Sequence, residues 1–155
     1  MRRLVLAFGF AAALVASAAA QEFDSPEALL ETFYEPYFTG AFAEDESIFR
    51  SAFLQELYEQ DEANTPIGEM GALGFDPYIN GQDFDIADFE IVATEVEGDV
   101  ATAEVYFTNF GEPTELIYDL VFEDNGWRID DVTSISPGRE YRLSEIFLET
   151  LGVEP

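Results

Sequence analysis

The chain predicts an α+β domain behind an export signal, and three observations carry that prediction. Apolar residues recur at helical spacing up to about Asp61, alternation with a period of two runs from Phe89 to Ser136, and a short capped helix follows. Helices, then a run of strands, then a helix describe helices packed on one face of an antiparallel sheet.

The N-terminus has the three parts of a secretory signal. Arg2 and Arg3 are a positive start, Leu4 to Val15 an apolar stretch, and Ser17-Ala18-Ala19-Ala20 a small-residue end. Ala18 and Ala20 fit the cleavage pattern, which predicts a cut before Gln21 and a single domain over 21–155 in the periplasm or outside the cell, by a Sec-type route. The apolar run is shorter than the ~20 residues a membrane helix needs. With no cysteine, the chain has neither a lipoprotein anchor nor disulfides.

Residues 1–20 hold two of the six basic residues and none of the 33 acidic ones. What remains is Arg50, Arg128, Arg139 and Arg142, with no lysine or histidine, and a formal charge of −29. The 48% hydrophobic content argues for a packed core rather than disorder. So much like charge costs stability, and salt screens it, with a Debye length of ~10 Å at 0.1 M and ~3 Å at 1 M. A periplasmic protein from a saline habitat suits that balance, whereas nucleic acid and anionic membrane surfaces are repelled.

In chain order, Ser25-Pro26-Glu27 opens a helix as N-cap, first helical residue and first-turn acid. Leu30, Phe33, Tyr34 and Tyr37 follow at helical spacing, Pro36 is expected to kink or end the helix near Glu35, and Gly40 closes it. A second helix is expected from Asp45 or Ser47, with a stripe of Phe49, Phe53 and Leu57 fading near Asp61. Asn64 to Gly81 is rich in glycine and proline, and so long an irregular stretch is expected to be functional or mobile. Four strands are then expected: Phe89 to Glu97, Val100 to Phe110, Thr114 to Glu123 and Trp127 to Ser136. Short turns join them into a curved meander, with an Asn-Gly hairpin signal in Asp124-Asn125-Gly126. Ser144 is expected to cap a last helix carrying Ile146, Phe147 and Leu151, stopped by Gly152.

Candidate chemistry concentrates in two places. Between Phe75 and Asp88 stand four carboxylates and two side-chain amides, the oxygen-rich set that Ca²⁺ takes. Asp76, Asn80 and Gly81 fit positions 1, 5 and 6 of an EF-hand loop, but Tyr78 and Ala87 fail positions 3 and 12. Asp76, Asp83 and Asp85 are thus weak metal candidates; the plainer reading is a turn at Asp76-Pro77, with Gln82 and Asp83 bonding loop backbone. The second place is Trp127 to Asp131. Asp131 falls where an apolar residue is due, which predicts a β-bulge at Asp130–Asp131, either serving a site or simply curving the sheet. Arg128 and Asp130 share the other face and are expected to pair. Aromatic residues exceed what a minimal core needs, so tyrosines such as Tyr118 are expected to wall a small cavity.

The missing residue types are as informative. Without histidine or cysteine there is no Ser-His-Asp or Cys-His triad and no His- or Cys-ligated zinc, and without lysine no Schiff base or P-loop. Acid–base work would fall to Asp, Glu or Tyr.

Phe75-Asp76-Pro77, then Gly81-Gln82-Asp83, then Asn125-Gly126-Trp127-Arg128-Ile129-Asp130-Asp131-Val132 resembles the exported bacterial family called domain of unknown function 3828, of the nuclear transport factor 2-like superfamily. The similarity spans roughly Ala28 to Leu151. It implies a cone-shaped fold with a pocket at its open end, and no activity.

The function expected is a periplasmic binding or interaction domain, monomeric or dimeric, taking a small ligand or protein partner at the cone mouth. The residues expected to bind are Asp76, Gln82, Asp83, Arg128, Asp130 and Tyr118. A basic protein suits the acidic surface through electrostatic steering. The alternatives are an isomerase or hydratase using a buried Asp or Glu with Tyr106 or Tyr118 as donor, and a Ca²⁺-stabilised domain; no other cofactor is expected.

Overall fold

The computed structural model describes residues 23–153; the signal segment and its cleavage before Gln21 lie outside them. Within them the order is α1 (Pro26–Thr39), a 3₁₀ turn (Ser47–Phe49), α2 (Ala52–Asn64), β1 (Ile86–Glu97), β2 (Val100–Asn109), β3 (Glu112–Glu123), β4 (Gly126–Ser134), β5 (Tyr141–Arg142) and α3 (Leu143–Leu151).

α1 starts as expected: Ser25 Oγ accepts from Ala28 N at 3.1 Å and Pro26 takes the first turn. Pro36 does not end it. The helix runs on through it to Thr39, because Tyr37 is buried against the loop and the last turn is closed by Gly40 N–H donating to Pro36 O at 2.7 Å. Gly40 ends the helix at φ 73°, where a side chain would be strained.

The second helix begins later than its pattern suggests. Arg50 is extended and bridges Ile129 of β4, whose carbonyl takes the Ser51 N–H at 2.8 Å. That capture breaks the helix after Phe49, and Ser51 restarts it as N-cap by accepting from Leu54 N. The buried stripe becomes Leu54 and Leu57, and Phe53 turns outward to 47% exposure.

The strands form one antiparallel sheet in the order β1-β2-β3-β4-β5. β1 begins at Ile86, three residues earlier than alternation suggests, because register shifts at Ala87/Glu90 and Ile91/Ala93 blur its period. The β3–β4 turn is centred on Asp124-Asn125, both at positive φ as a type I′ turn requires, with Gly126 opening β4 rather than sitting in the turn. The fifth strand, Tyr141–Arg142, was not expected: two residues carry no periodicity, and pairing with Ser134 and Thr133 defines them. In β4 the register passes from Asp119↔Asp131 to Leu120↔Ile129, so Asp130 is the extra residue of the expected bulge.

Along β2 and β3, Ala103, Val105, Phe107, Leu116, Tyr118 and Leu120 are buried while their neighbours are wet, so one face of the sheet carries the core. Against it pack Leu29, Leu30 and Tyr34 of α1, Leu54 of α2 and Phe147 of α3. Among the described residues no helix is long and apolar enough to cross a membrane.

Candidate functional site

The turn-rich segment before β1 is drawn into the protein at its tip. Asp76 N donates to Gly81 O at 2.8 Å, and the residues between, Pro77 to Asn80, are buried. Asp76 organises this tip. One carboxylate oxygen accepts the Tyr37 hydroxyl at 2.6 Å and the other the Tyr78 N–H at 2.8 Å. Burial pushes the Asp76 carboxyl above its ordinary range, and these two donors pull it partly back. Glu46 is likewise raised by burial, against the pull of Arg50, with Asp76 adding to the rise. Arg50 donates to Glu46 at 3.3 Å and lies over the Tyr58 ring, 3.8 Å from its centre.

Behind Asp76 the interior is filled. Tyr34 and Tyr118 hydroxyls meet at 2.7 Å, Tyr34 also donates to Tyr78 O, and both rings are fully buried. Tyr118 therefore lies inside the core rather than on a cavity wall, and its hydroxyl is committed. Tyr106 points to the opposite, outer face of the sheet. The two donors named for an isomerase thus do not share a chamber with Asp76.

In front of Asp76 the surface is aromatic. Phe42 and Phe84 stand edge-on to the Tyr37 ring at 5.2 and 5.3 Å and lie 5.9 Å from each other. They are 44% and 41% exposed; Phe38, Phe53, Phe110 and Phe122 are also exposed, and what sets Phe42 and Phe84 apart is that they cluster on one buried tyrosine. Exposed acids flank each in sequence, Glu44 and Asp45 after Phe42, Asp83 and Asp85 around Phe84.

The other predicted residues scatter. Gln82 is exposed and donates to Gly74 O, the backbone role foreseen for it. Asp83 is exposed, and its backbone carbonyl, not its carboxylate, accepts from Asn109. Among the described residues no group of three or more carboxylates is placed to hold a metal ion, since Asp76 turns inward while Asp83 and Asp85 face water. Arg128 is buried, with its guanidinium over Phe23 and on Trp127 O, rather than on Asp130. The bulge is the reason: it leaves Asp130 half-exposed at an outer cleft and turns Asp131 inward.

Asp131 is thus the buried carboxylate of this strand, at 2% exposure. It accepts from Val132 N, Ser144 N and Ser144 Oγ and pairs with Arg142 Nε at 2.7 Å. Ser144 is the second residue of α3 rather than its cap; a carboxylate from across the sheet supplies the cap. Its one sequence signal is that Asp131 breaks the alternation. Arg142 had none beyond being one of few arginines.

The clefts are open and shallow. One of about 370 Å³ lies along α2 beside Arg50 and Tyr58, another of about 450 Å³ on the outer sheet face beside Asp130, and a third of about 340 Å³ between Phe75 and Arg139. Asp76 lines none of them.

No family model, curated protein or solved structure matches this chain.

Proposed function

We propose that the chain is an exported binding domain, of the cone-shaped type its loop motifs resemble, which docks a basic protein segment on the Tyr37–Phe42–Phe84 rim. The observation that carries this is the exposed ring cluster. Large rings left in water are a cost unless something covers them, and aromatic anchors are what binding surfaces are made of. Tyr37, fixed at its hydroxyl by Asp76, gives the two phenylalanines a rigid base.

Charge selects the occupant. The chain carries −27 overall, and acids border both phenylalanines. A second copy, a nucleic acid or an anionic lipid surface would meet like charge, whereas Arg- or Lys-rich segments with an apolar side chain would be drawn in. The interior behind the rim is packed with tyrosine, which favours a surface binder over an enzyme enclosing its substrate.

Isothermal titration with amphipathic Arg/Leu and Glu/Leu peptides tests this on wild type and a Phe42→Ser/Phe84→Ser variant. The Arg/Leu peptide should bind, weaken at 1 M NaCl, and lose at least tenfold in the double variant while circular dichroism is unchanged. Equal binding by the variant, or no preference for the basic peptide, overturns the proposal.

A further inference from the structure

Beside the Asp76–Gly81 turn lies a second feature with its own chemistry. A cleft of about 340 Å³ is lined by Phe75, Gln82, Tyr141 and Ile146 together with Arg139 and its acidic neighbour Glu140. That volume falls at the lower end of the ~300–1,000 Å³ typical of small-molecule sites.

Its apolar floor is fixed. Phe75 packs against the Tyr141 ring at 5.2 Å, and the Tyr141 hydroxyl is tied to the Pro77 carbonyl. Burial pushes that hydroxyl above its ordinary range, so it stays a neutral donor. Ile146 comes from the first turns of α3.

Arg139 is held at the edge from both sides of its backbone. Its N–H donates to Ser136 O at 3.0 Å, and its carbonyl accepts from Asn80 Nδ2 at 3.3 Å. Asn80 is buried, sits at φ 52°, and spends its amide on Ser134 and on this carbonyl. A strained, buried residue is thus used to place an exposed one. The guanidinium is uncommitted: among the described residues Arg139 makes no side-chain hydrogen bond or ion pair, although 33 acids are available in the chain. Arg50 and Arg142 are paired and Arg128 is buried.

We infer that this cleft is a binding site for a small carboxylate with an apolar body, the carboxylate on Arg139 and the body on Phe75, Tyr141 and Ile146. A guanidinium offers a planar fork that matches a carboxylate. On so acidic a protein, and with Glu140 beside it, a guanidinium left uncommitted among the described residues is one that an anion can find only at close range. Salt then distinguishes the two sites. Screening removes long-range repulsion of an anion, so binding here holds or strengthens as NaCl rises, whereas a basic segment at the ring cluster weakens.

The test is an NMR titration of the ¹⁵N-labelled protein with 3-phenylpropanoate and its neutral amide, 3-phenylpropanamide. Expected are shifts at Phe75, Gln82 and Tyr141 with the acid, at least tenfold weaker binding in Arg139→Gln, and no change in Phe42→Ser/Phe84→Ser. The Arg139→Gln position is exposed, so the fold survives and the loss is interpretable. Absence of shifts at millimolar acid, equal binding of the amide, or wild-type affinity in Arg139→Gln overturns the site. Loss of acid binding in the phenylalanine variant would place it at the ring cluster instead and overturn it equally.

Discussion

Asp131 and Asp76 are two carboxylates withdrawn from solvent in opposite ways. Asp131 meets a cation and three hydrogen-bond donors: Arg142 Nε at 2.7 Å, two backbone N–H groups and the Ser144 hydroxyl. Asp76 meets a tyrosine hydroxyl and one backbone N–H, with no ion pair among the described residues. The first joins β4, β5 and the start of α3 into one unit. The second sits under the exposed aromatic surface with its charge poorly compensated. The difference separates a carboxylate that holds the fold from one whose burial costs stability and positions a surface.

The largest effect should come from Asp131→Ala. It removes the partner of Arg142 and uncaps α3 together, and urea unfolding should show a loss of about 2–3 kcal/mol. That falls short of the ~3–5 kcal/mol for a fully buried pair, because Arg142 is 41% exposed and keeps Asp119 and water. A loss no larger than that of an exposed-acid control would erase the contrast.

Tyr37→Phe should cost less, about 1–2 kcal/mol, by taking one donor from a charged acceptor. It should also raise the Asp76 carboxyl further, since the Tyr37 hydroxyl is what lowers it most.

Asp76→Asn should change stability at pH 7 by under ~1 kcal/mol, as the amide keeps an acceptor and sheds a buried charge. Its signature is in pH. A carboxyl raised by folding contributes stability that is present below its ordinary value of 3.8 and lost as pH rises through the folded value. Wild type should therefore lose stability upward across that window, and Asp76→Asn should lose less. Unfolding curves between pH 4 and 7 check this; identical slopes would show that Asp76 is not under-compensated.

Much of the fold was legible because its cues are local. The Ser25 cap, the strand alternation on β2 and β3 and the hairpin turn act within a few residues; the first two appear where the pattern puts them, and the turn falls one residue before its Asn-Gly pair. The Asp76 loop was legible as a place and not as a mechanism: nothing near Tyr37 in the sequence announces a partner 39 residues away. Phe42 and Phe84 were visible only as surplus aromatics. Gln82 and Asp83 were singled out for being polar in a loop; Gln82 bonds the Gly74 carbonyl as expected, whereas Asp83 contributes its own carbonyl to the Asn109 amide and leaves its carboxylate in water.

The sequence by itself determined the order of helices and strands, the acidity and the lack of the usual catalytic side chains, because periodicity, caps and composition are properties of neighbouring residues. Only the tertiary structure decided where the second helix breaks, since the carbonyl that captures Ser51 belongs to Ile129. It likewise chose between two adjacent aspartates: a bulge in β4 sends Asp130 outward and Asp131 inward, to an arginine eleven residues on. Hydrogen bonds across long stretches of chain make those choices, and a hydrophobic period carries no record of them.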